Sequence, residues 1–323
     1  MKKNPKQKTR RVRQINKNKT QKNKNNKTKH NPTRIKHDNS AKLFKPVQCS
    51  PNPKKIDFTC YSEDDLYKLR NLWNMRHPDA QIKSNDLKTI WTLLQENLKN
   101  VCSKESCWLN QKFVDGKSSK DMTASFAPMA PASWKRKPNE WLSSTDILKV
   151  MKQYEKAYKC FEFMGPSPID YDTKQMYGEC VWQELCEFNL QEQINKGKTK
   201  IGVSFNLDPH DKGGSHWVSV FINIKKHTIF YFDSAGEKIP PQIMKFANTI
   251  MTQGKSLGMN FTFDQNHPVE HQYGNTECGI YSLFFIVHML EDKITSHYLK
   301  THILKDKYME KFRKVYFNQD KLF

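Results

Sequence analysis

The sequence predicts an α+β protein behind a basic tail, on three observations. Helical periodicities dominate from Ser62 to Phe161, strand-like runs occupy residues 200–232, and helical segments return after Pro240. The charge is concentrated at the start: residues 1–45 hold 17 Lys/Arg against one acid, Asp38, so about +16 of the net +21 lies there.

Residues 1–45 are rich in Lys, Asn, Gln and Thr, with too little apolar surface to offset the cost of ordering, and are expected to be disordered. Such a run attracts polyanions, so it reads as an arm for DNA or other nucleic acid, as a nuclear-targeting signal, or as a solubilising tail. No aromatic residue precedes Phe44, which argues against base stacking by the arm. Basic residues without a following apolar core argue against a signal peptide, and no segment is long enough to cross a membrane.

A helical region is expected over 46–140. Pro46 to Pro53 reads as a linker, and Ser62-Glu-Asp-Asp opens a helix carrying Leu66, Leu69, Leu72 and Trp73. A second helix from Ser84 or Asn85 places Leu87, Ile90, Trp91, Leu94 and Leu98 on one face. Residues 115–140 read as a long surface loop.

The remaining residues, 141–323, read as a second domain. Ser144-Thr145-Asp146 caps a helix expected to run through Phe161, and Gly165-Pro-Ser-Pro breaks it. A short helix is expected over Val181–Leu190. Lys200–Asn206, Val218–Ile224 and Thr228–Phe232 read as strands, the last two joined as a hairpin by Lys225-Lys226-His227. A helix from Pro240, a strand over Asn260–Phe263 and a charged helix over Tyr308–Phe317 complete the pattern. The eight cysteines, Cys49, Cys60, Cys102, Cys107, Cys160, Cys180, Cys186 and Cys278, have no CxxC pair and follow no secretory signal, which points to reduced, mostly packing thiols.

Between the last strand and the C-terminal helix, the polar run Gly274–Glu277 delivers Cys278 and Gly279 onto the apolar segment Ile280–Leu290. A thiol at the first turn of a buried helix meets unpaired N–H groups that favour a thiolate. On that stretch alone, core packing and nucleophilic chemistry are equal readings. A nucleophile needs a base and an orienting group. His216 stands at the mouth of the strand Val218–Ile224, and Asp233 follows Thr228–Phe232. In an antiparallel hairpin those two positions share an edge. Gln272, six residues before Cys278, offers a side-chain amide beside the Cys278 N–H for an oxyanion. His267 and His271 have His-x3-His spacing, but Pro268 between them disfavours a helix, so no metal is called for. No cofactor signature is present. Asp208, His210 and Asp211 read as a solvated loop or as substrate contacts.

The order His216-Trp217, Asp233, Gln272 and Cys278-Gly279 resembles the adenain/SUMO-protease superfamily of cysteine proteases. SHWVSVFINI, IFYFDSAGEKIPP and QYGNTECGIYSLFFI are similar to its viral branch, which includes the African swine fever virus protease and thiol proteases of mimivirus-like giant viruses. The resemblance implies a papain-like core, with a mixed or antiparallel sheet flanked by helices. It implies an endopeptidase with His216, Asp233 and Cys278 as triad and Gln272 as oxyanion donor, with Trp217 and Gly279 at a narrow substrate cleft. Implied substrates are viral core polyproteins cut after Gly-Gly-like sites, in the virion and host cytoplasm or in the nucleus. A SUMO- or ubiquitin-like-modifier isopeptidase is the alternative, and a basic nucleic-acid-binding protein with an inactive protease fold is a second one. The African swine fever virus enzyme carries Asn where this chain has Asp233.

Overall fold

The structure, a computed structural model, describes residues 36–37 (backbone only), 48–52 and 56–319. Of the tail, only the strand β1 (Lys36–His37) falls within that range; it lies parallel to β7 (His302–Ile303). The expectation of disorder over the rest of residues 1–45 lies outside the described residues.

The centre is a five-stranded mixed sheet, β2 (Phe161–Pro168), β3 (Lys200–Asn206), β4 (Trp217–Asn223), β5 (Thr228–Phe232) and β6 (Thr262–Gln265), in that spatial order. The middle pairs, β3–β4 and β4–β5, are antiparallel, and the outer pairs are parallel. Side chains alternate with the pleat. Ile201, Val203, Phe205, Val220, Ile222, Ile229 and Tyr231 face one core with α7 (Pro241–Ser256). Phe161, Phe163, Phe221, Phe230 and Phe232 face the other, against α4 (Ser144–Ala157) and α8 (Cys278–Leu290). Helix α8 is buried on nearly every face, as a helix apolar all round must be. On β3, Gly202 supplies no side chain, and a Cβ there would stand 2.7 Å from Ile286 Cγ2 of α8.

The helical N-terminal region has its own core. Helix α1 (Glu63–Arg76) starts with a Ser62–Asp65 capping box, and α2 (Leu87–Leu98) is capped by Asp86. Leu66, Leu69 and Trp73 meet Ile90, Leu94 and Leu98, closed over by Trp108, Phe113 and Phe126. Inside it, Glu105 accepts from Thr59 Oγ1 at 3.1 Å, from the Cys60 N–H at 2.9 Å and from the Trp91 indole.

Several expectations are corrected. Phe161 begins β2 and does not continue α4, which closes when the Tyr158 N–H bonds to the Tyr154 carbonyl at 2.8 Å. Gly and Pro read as a break, yet β2 is an edge strand, where missing N–H donors and a local irregularity between Met164 and Ser167 are tolerated. The stretch 115–140 contains α3 (Gly116–Thr123) and a 3₁₀ turn, Ala132–Lys135, that buries Trp134. Helix is split after Cys186: α5 (Gln183–Cys186) and α6 (Leu190–Asn195) are separate, as are α9 (Ser296–Thr301), α10 (Asp306–Met309) and α11 (Arg313–Tyr316) near the C-terminus. Six of the cysteines are not thiols but disulfides, Cys49–Cys60, Cys102–Cys107 and Cys180–Cys186, while Cys160 and Cys278 are free. Each pair closes a turn of 5 to 11 residues. Short-range pairing of that kind leaves no spacing motif to read.

Candidate active site

The β4–β5 hairpin brings His216 and Asp233 together. Its register pairs Ser219 with Phe232, so the residue before β4 and the residue after β5 emerge at one edge. His216 Nε2 and Asp233 Oδ1 are 2.6 Å apart. The carboxylate is 1% exposed and is itself held: its Oδ1 accepts from the Ala235 N–H at 2.9 Å. Asn266, fully buried, accepts from the Asp233 N–H at 2.9 Å and donates to the Asp233 carbonyl at 2.7 Å. The turn after Asp233 requires glycine: Gly236 has φ +74°, and a Cβ there would lie 2.8 Å from the backbone of Val269 and Glu270.

With Nε2 committed to Asp233, the other ring nitrogen is left for the thiol. Burial pulls the imidazolium down. The hydrogen bonds to Asp233 and Cys278 and their charges overcome it and lift His216 to about 10, from an ordinary 6.5. His216 therefore holds its proton through the neutral range. Cys278 is 3% exposed and opens α8, where the first-turn N–H groups have no partner within the helix.

Gln272 is tied to Ser234, the residue after Asp233. The Ser234 carbonyl accepts from the N–H groups of His271 and Gln272, both at 2.8 Å, and Ser234 Oγ donates to Gln272 Oε1 at 2.7 Å. Gln272 Nε2 donates to the Gly274 carbonyl at 2.9 Å. A carbonyl only accepts, so this contact fixes which end of the amide is nitrogen, and Nε2 retains a second hydrogen.

A cleft of about 970 Å³ runs up to His216 and Trp217, walled by Trp141, Leu142, Asp208, Gly214 and Trp182 among others. Trp217 Nε1 donates to the Leu142 carbonyl at 2.9 Å. Gly279 is turned inward instead: it is buried, and a Cβ would stand 2.9 Å from Leu142 Cβ. Asp208 and His210 both line the cleft; Asp208 Oδ1 accepts from Ser215 Oγ at 2.8 Å, and His210 Nδ1 pairs with Asp170 Oδ2 at 2.7 Å. His267 Nδ1 bonds to the Gly236 carbonyl at 2.7 Å, and buried His271 accepts from the Leu304 N–H at 3.2 Å. Among the described residues no group of three or more His, Cys, Asp or Glu could hold a metal ion, and no helix is long and apolar enough to cross a membrane.

Sequence reading missed Ser234, Asn266, Glu277, Asp306 and Arg313. Glu277 sits in a polar, turn-like run but is 2% exposed, paired with Arg313 at 3%. Only Asn266 and Ser234 gave any signal, as polar residues flanking a strand end and a loop.

A mixed sheet that delivers His and Asp from a hairpin, and a cysteine at the start of a buried helix packed against it, defines a cysteine-type peptidase. The chain belongs to the Ulp1 protease family: the model of that family's C-terminal catalytic domain matches residues 144–322, more than half of the chain. It is 28% identical over 280 residues to R355 of Acanthamoeba polyphaga mimivirus, designated a thiol protease, covering 78% of this chain and 88% of that one. A cysteine protease of African swine fever virus is 24% identical over 245 residues, covering 71% of this chain and 88% of the viral protein. The crystal structure of the African swine fever virus pS273R protease superposes with a TM-score of 0.63 at 21% identity, over 85% of this chain and 97% of that one. That likeness shows the shared fold.

Proposed function

We propose that the protein is an endopeptidase in which Cys278 is the nucleophile, His216 the acid and base, Asp233 its orienter and Gln272 an oxyanion donor. The observation that carries the reading is the 2.6 Å contact from Asp233 to His216, a histidine whose proton Cys278 also helps to hold. The sulfur attacks the scissile carbonyl carbon, and the carbonyl oxygen takes the negative charge. The second Nε2 hydrogen of Gln272 and the Cys278 N–H receive that oxygen. As the C–N bond breaks, the His216 imidazolium gives its proton to the leaving amine. Neutral His216 then takes a proton from water, the hydroxyl adds to the thioester carbon, and the C–S bond breaks, which releases the acid product and returns the Cys278 thiolate beside the His216 imidazolium. Asp233 keeps Nε2 protonated throughout, so that Nδ1 is the nitrogen that works.

The proposed substrates are viral structural or core polyproteins, cut after Gly-Gly-like sites during particle maturation, with the enzyme in the virion and host cytoplasm. The mimivirus and African swine fever virus relatives support this reading. The basic residues 1–45 would tether the enzyme to packaged DNA through phosphate contacts that weaken with salt. A second reading, cleavage of a SUMO-like modifier, is favoured by the name of another African swine fever virus relative, SUMO-1 cysteine protease, 24% identical over 245 residues. A Gly-Gly-X peptide panel, a Gly-Gly-containing viral polyprotein and a modifier fused to a fluorophore, each with and without DNA, separate the readings. Absence of cleavage of all three by the wild type sinks the peptidase assignment, and cleavage of the modifier alone transfers it to the second reading.

A further inference from the structure

Five residues, 273–277, separate the glutamine from the nucleophile, and their path decides where its amide stands relative to Cys278. They belong to no helix or strand. Other parts of the chain hold them. At the near end Asp306 Oδ2 accepts from the N–H groups of Tyr273 and Gly274 at 3.0 and 2.8 Å. Its Oδ1 accepts from the Tyr281 hydroxyl at 3.0 Å, one turn along α8 from Cys278. Gly274 is also the residue whose carbonyl takes Gln272 Nε2, so Asp306 anchors the group on which the amide leans. In the middle, the Trp141 indole donates to the Asn275 carbonyl at 2.5 Å.

At the far end Arg313 donates from Nε to both Glu277 oxygens at 3.0 and 2.9 Å, and from Nη2 to Glu277 Oε1 and the Thr276 carbonyl at 2.9 and 3.2 Å. Its Nη1 donates to the Glu140 carbonyl at 2.8 Å, and its guanidinium lies 4.6 Å from the centre of the Trp134 ring. A buried ion pair is a poor device for stability, because desolvation offsets its attraction and apolar residues of similar volume do as well. What it supplies here is direction: a planar fork with four of its five N–H donors engaged restricts the placement of the residue before the nucleophile.

We infer that Asp306 and Arg313 are positioning residues, which fix the two ends of the 273–277 segment and so set the distance between the Gln272 amide and the Cys278 N–H. The inference rests on the endopeptidase reading above. Neither residue touches substrate; both act through Gln272 and Cys278.

The test uses full-length wild type, Asp306→Ala and Arg313→Lys on a Gly-Gly-X peptide, with thermal melting to establish that each variant is folded. A peptide aldehyde serves as second probe, since its adduct oxygen enters the same oxyanion site. The expected result is a kcat lower by about 10-fold, or ~1.4 kcal/mol of transition-state stabilisation. KM stays within about twofold, and aldehyde inhibition weakens in step with kcat, because the lost interaction is made in the transition state. Asp306→Ala leaves the buried ion pair whole, so it carries the test if Arg313→Lys does not fold. A folded Asp306→Ala with wild-type kcat and aldehyde affinity overturns the inference, as does a rise in KM at unchanged kcat. Wild-type activity in the same assay tells the two levels apart: a silent wild type overturns the endopeptidase reading and this one with it, whereas an active wild type matched by the variant overturns this one alone.

Discussion

Removing the Asp233 carboxylate tests how the histidine is tuned. In the wild type, burial opposes the imidazolium, and the contacts to Asp233 and Cys278 still lift it to about 10. Against 6.5, and at ~1.4 kcal/mol per unit, that net lift is on the order of 5 kcal/mol in favour of the charged ring, whose side chain is 21% exposed. Asp233→Ala deletes the buried carboxylate that holds Nε2 at 2.6 Å and leaves the burial penalty in place. The alkaline limb of kcat/KM, near 10 in the wild type, is expected to fall by about two units or more, and kcat/KM at pH 8 by about 10²- to 10⁴-fold. Asp233→Asn keeps an oxygen for the Nε2 hydrogen without the charge, so the limb still moves down but the loss in rate is smaller. The assay is a pH–rate profile on the Gly-Gly-X peptide, paired with an NMR titration of the His216 ring. An Asp233→Ala profile whose alkaline limb stays near 10 would refute the argument, because the charge would then have no part in holding the proton.

Cys278→Ala is expected to abolish peptide hydrolysis while the protein melts as the wild type does, measured by activity and circular dichroism. Gln272→Ala is expected to lower kcat about 10²- to 10³-fold, the usual loss for one oxyanion donor, with a smaller effect on KM. Gly279→Ala forces a Cβ against Leu142 at 2.9 Å, and a destabilisation of about 1–3 kcal/mol is expected in urea melts. Stability should also peak near pH 6.5. Folded His216 keeps its proton to about 10, so the stability it contributes is full below about 6.5 and is lost as pH rises through about 10. Buried His271 and His288 work the other way. Desolvation lowers them to about 4 and about 3, so the unfolded chain takes protons first as pH falls below about 6.5, and stability declines toward acid. Urea midpoints across the pH range check both slopes, and a midpoint that rises steadily from neutral to pH 10 contradicts the first.

The proximity of His216 and Asp233 was legible because a hairpin is local: Lys225-Lys226-His227 marks the turn, and counting back along two strands puts both residues at one edge. Alternation in Ile201, Val203 and Phe205 likewise announced a strand with one face in a core. The edge strand β2 was not legible, since its Gly-Pro-Ser-Pro composition imitates a break in any reading that sees only local propensity. The supports of the site were hidden for a different reason. Glu277 and Arg313 are 36 residues apart, Glu277 in a polar turn-like run and Arg313 beside Lys311 and Lys314, so nothing in either segment marks a charge as buried. Asp306 gives no sign that its acceptors serve a loop 32 residues earlier. The disulfides fall in the same class: Cys102 and Cys107 flank a short turn whose closure depends on the fold around Trp108.

Gly202 has no atom to offer to chemistry, yet it governs the standoff between two carriers of the reaction. The base rides on the sheet and the nucleophile on α8, and where Ile286 settles over the bare backbone of β3 the helix comes to rest. Eight residues of helix, ~12 Å of stiff rod, run from that resting point back to the sulfur. A single methyl group at position 202 would stand 2.7 Å from Ile286 Cγ2 and 3.1 Å from the Phe161 ring, too close for the rod to keep its place on the sheet. The reach of the imidazole to the sulfur is thus gauged by an empty place on the opposite side of the core, and a change there would register in turnover while every reacting group kept its identity.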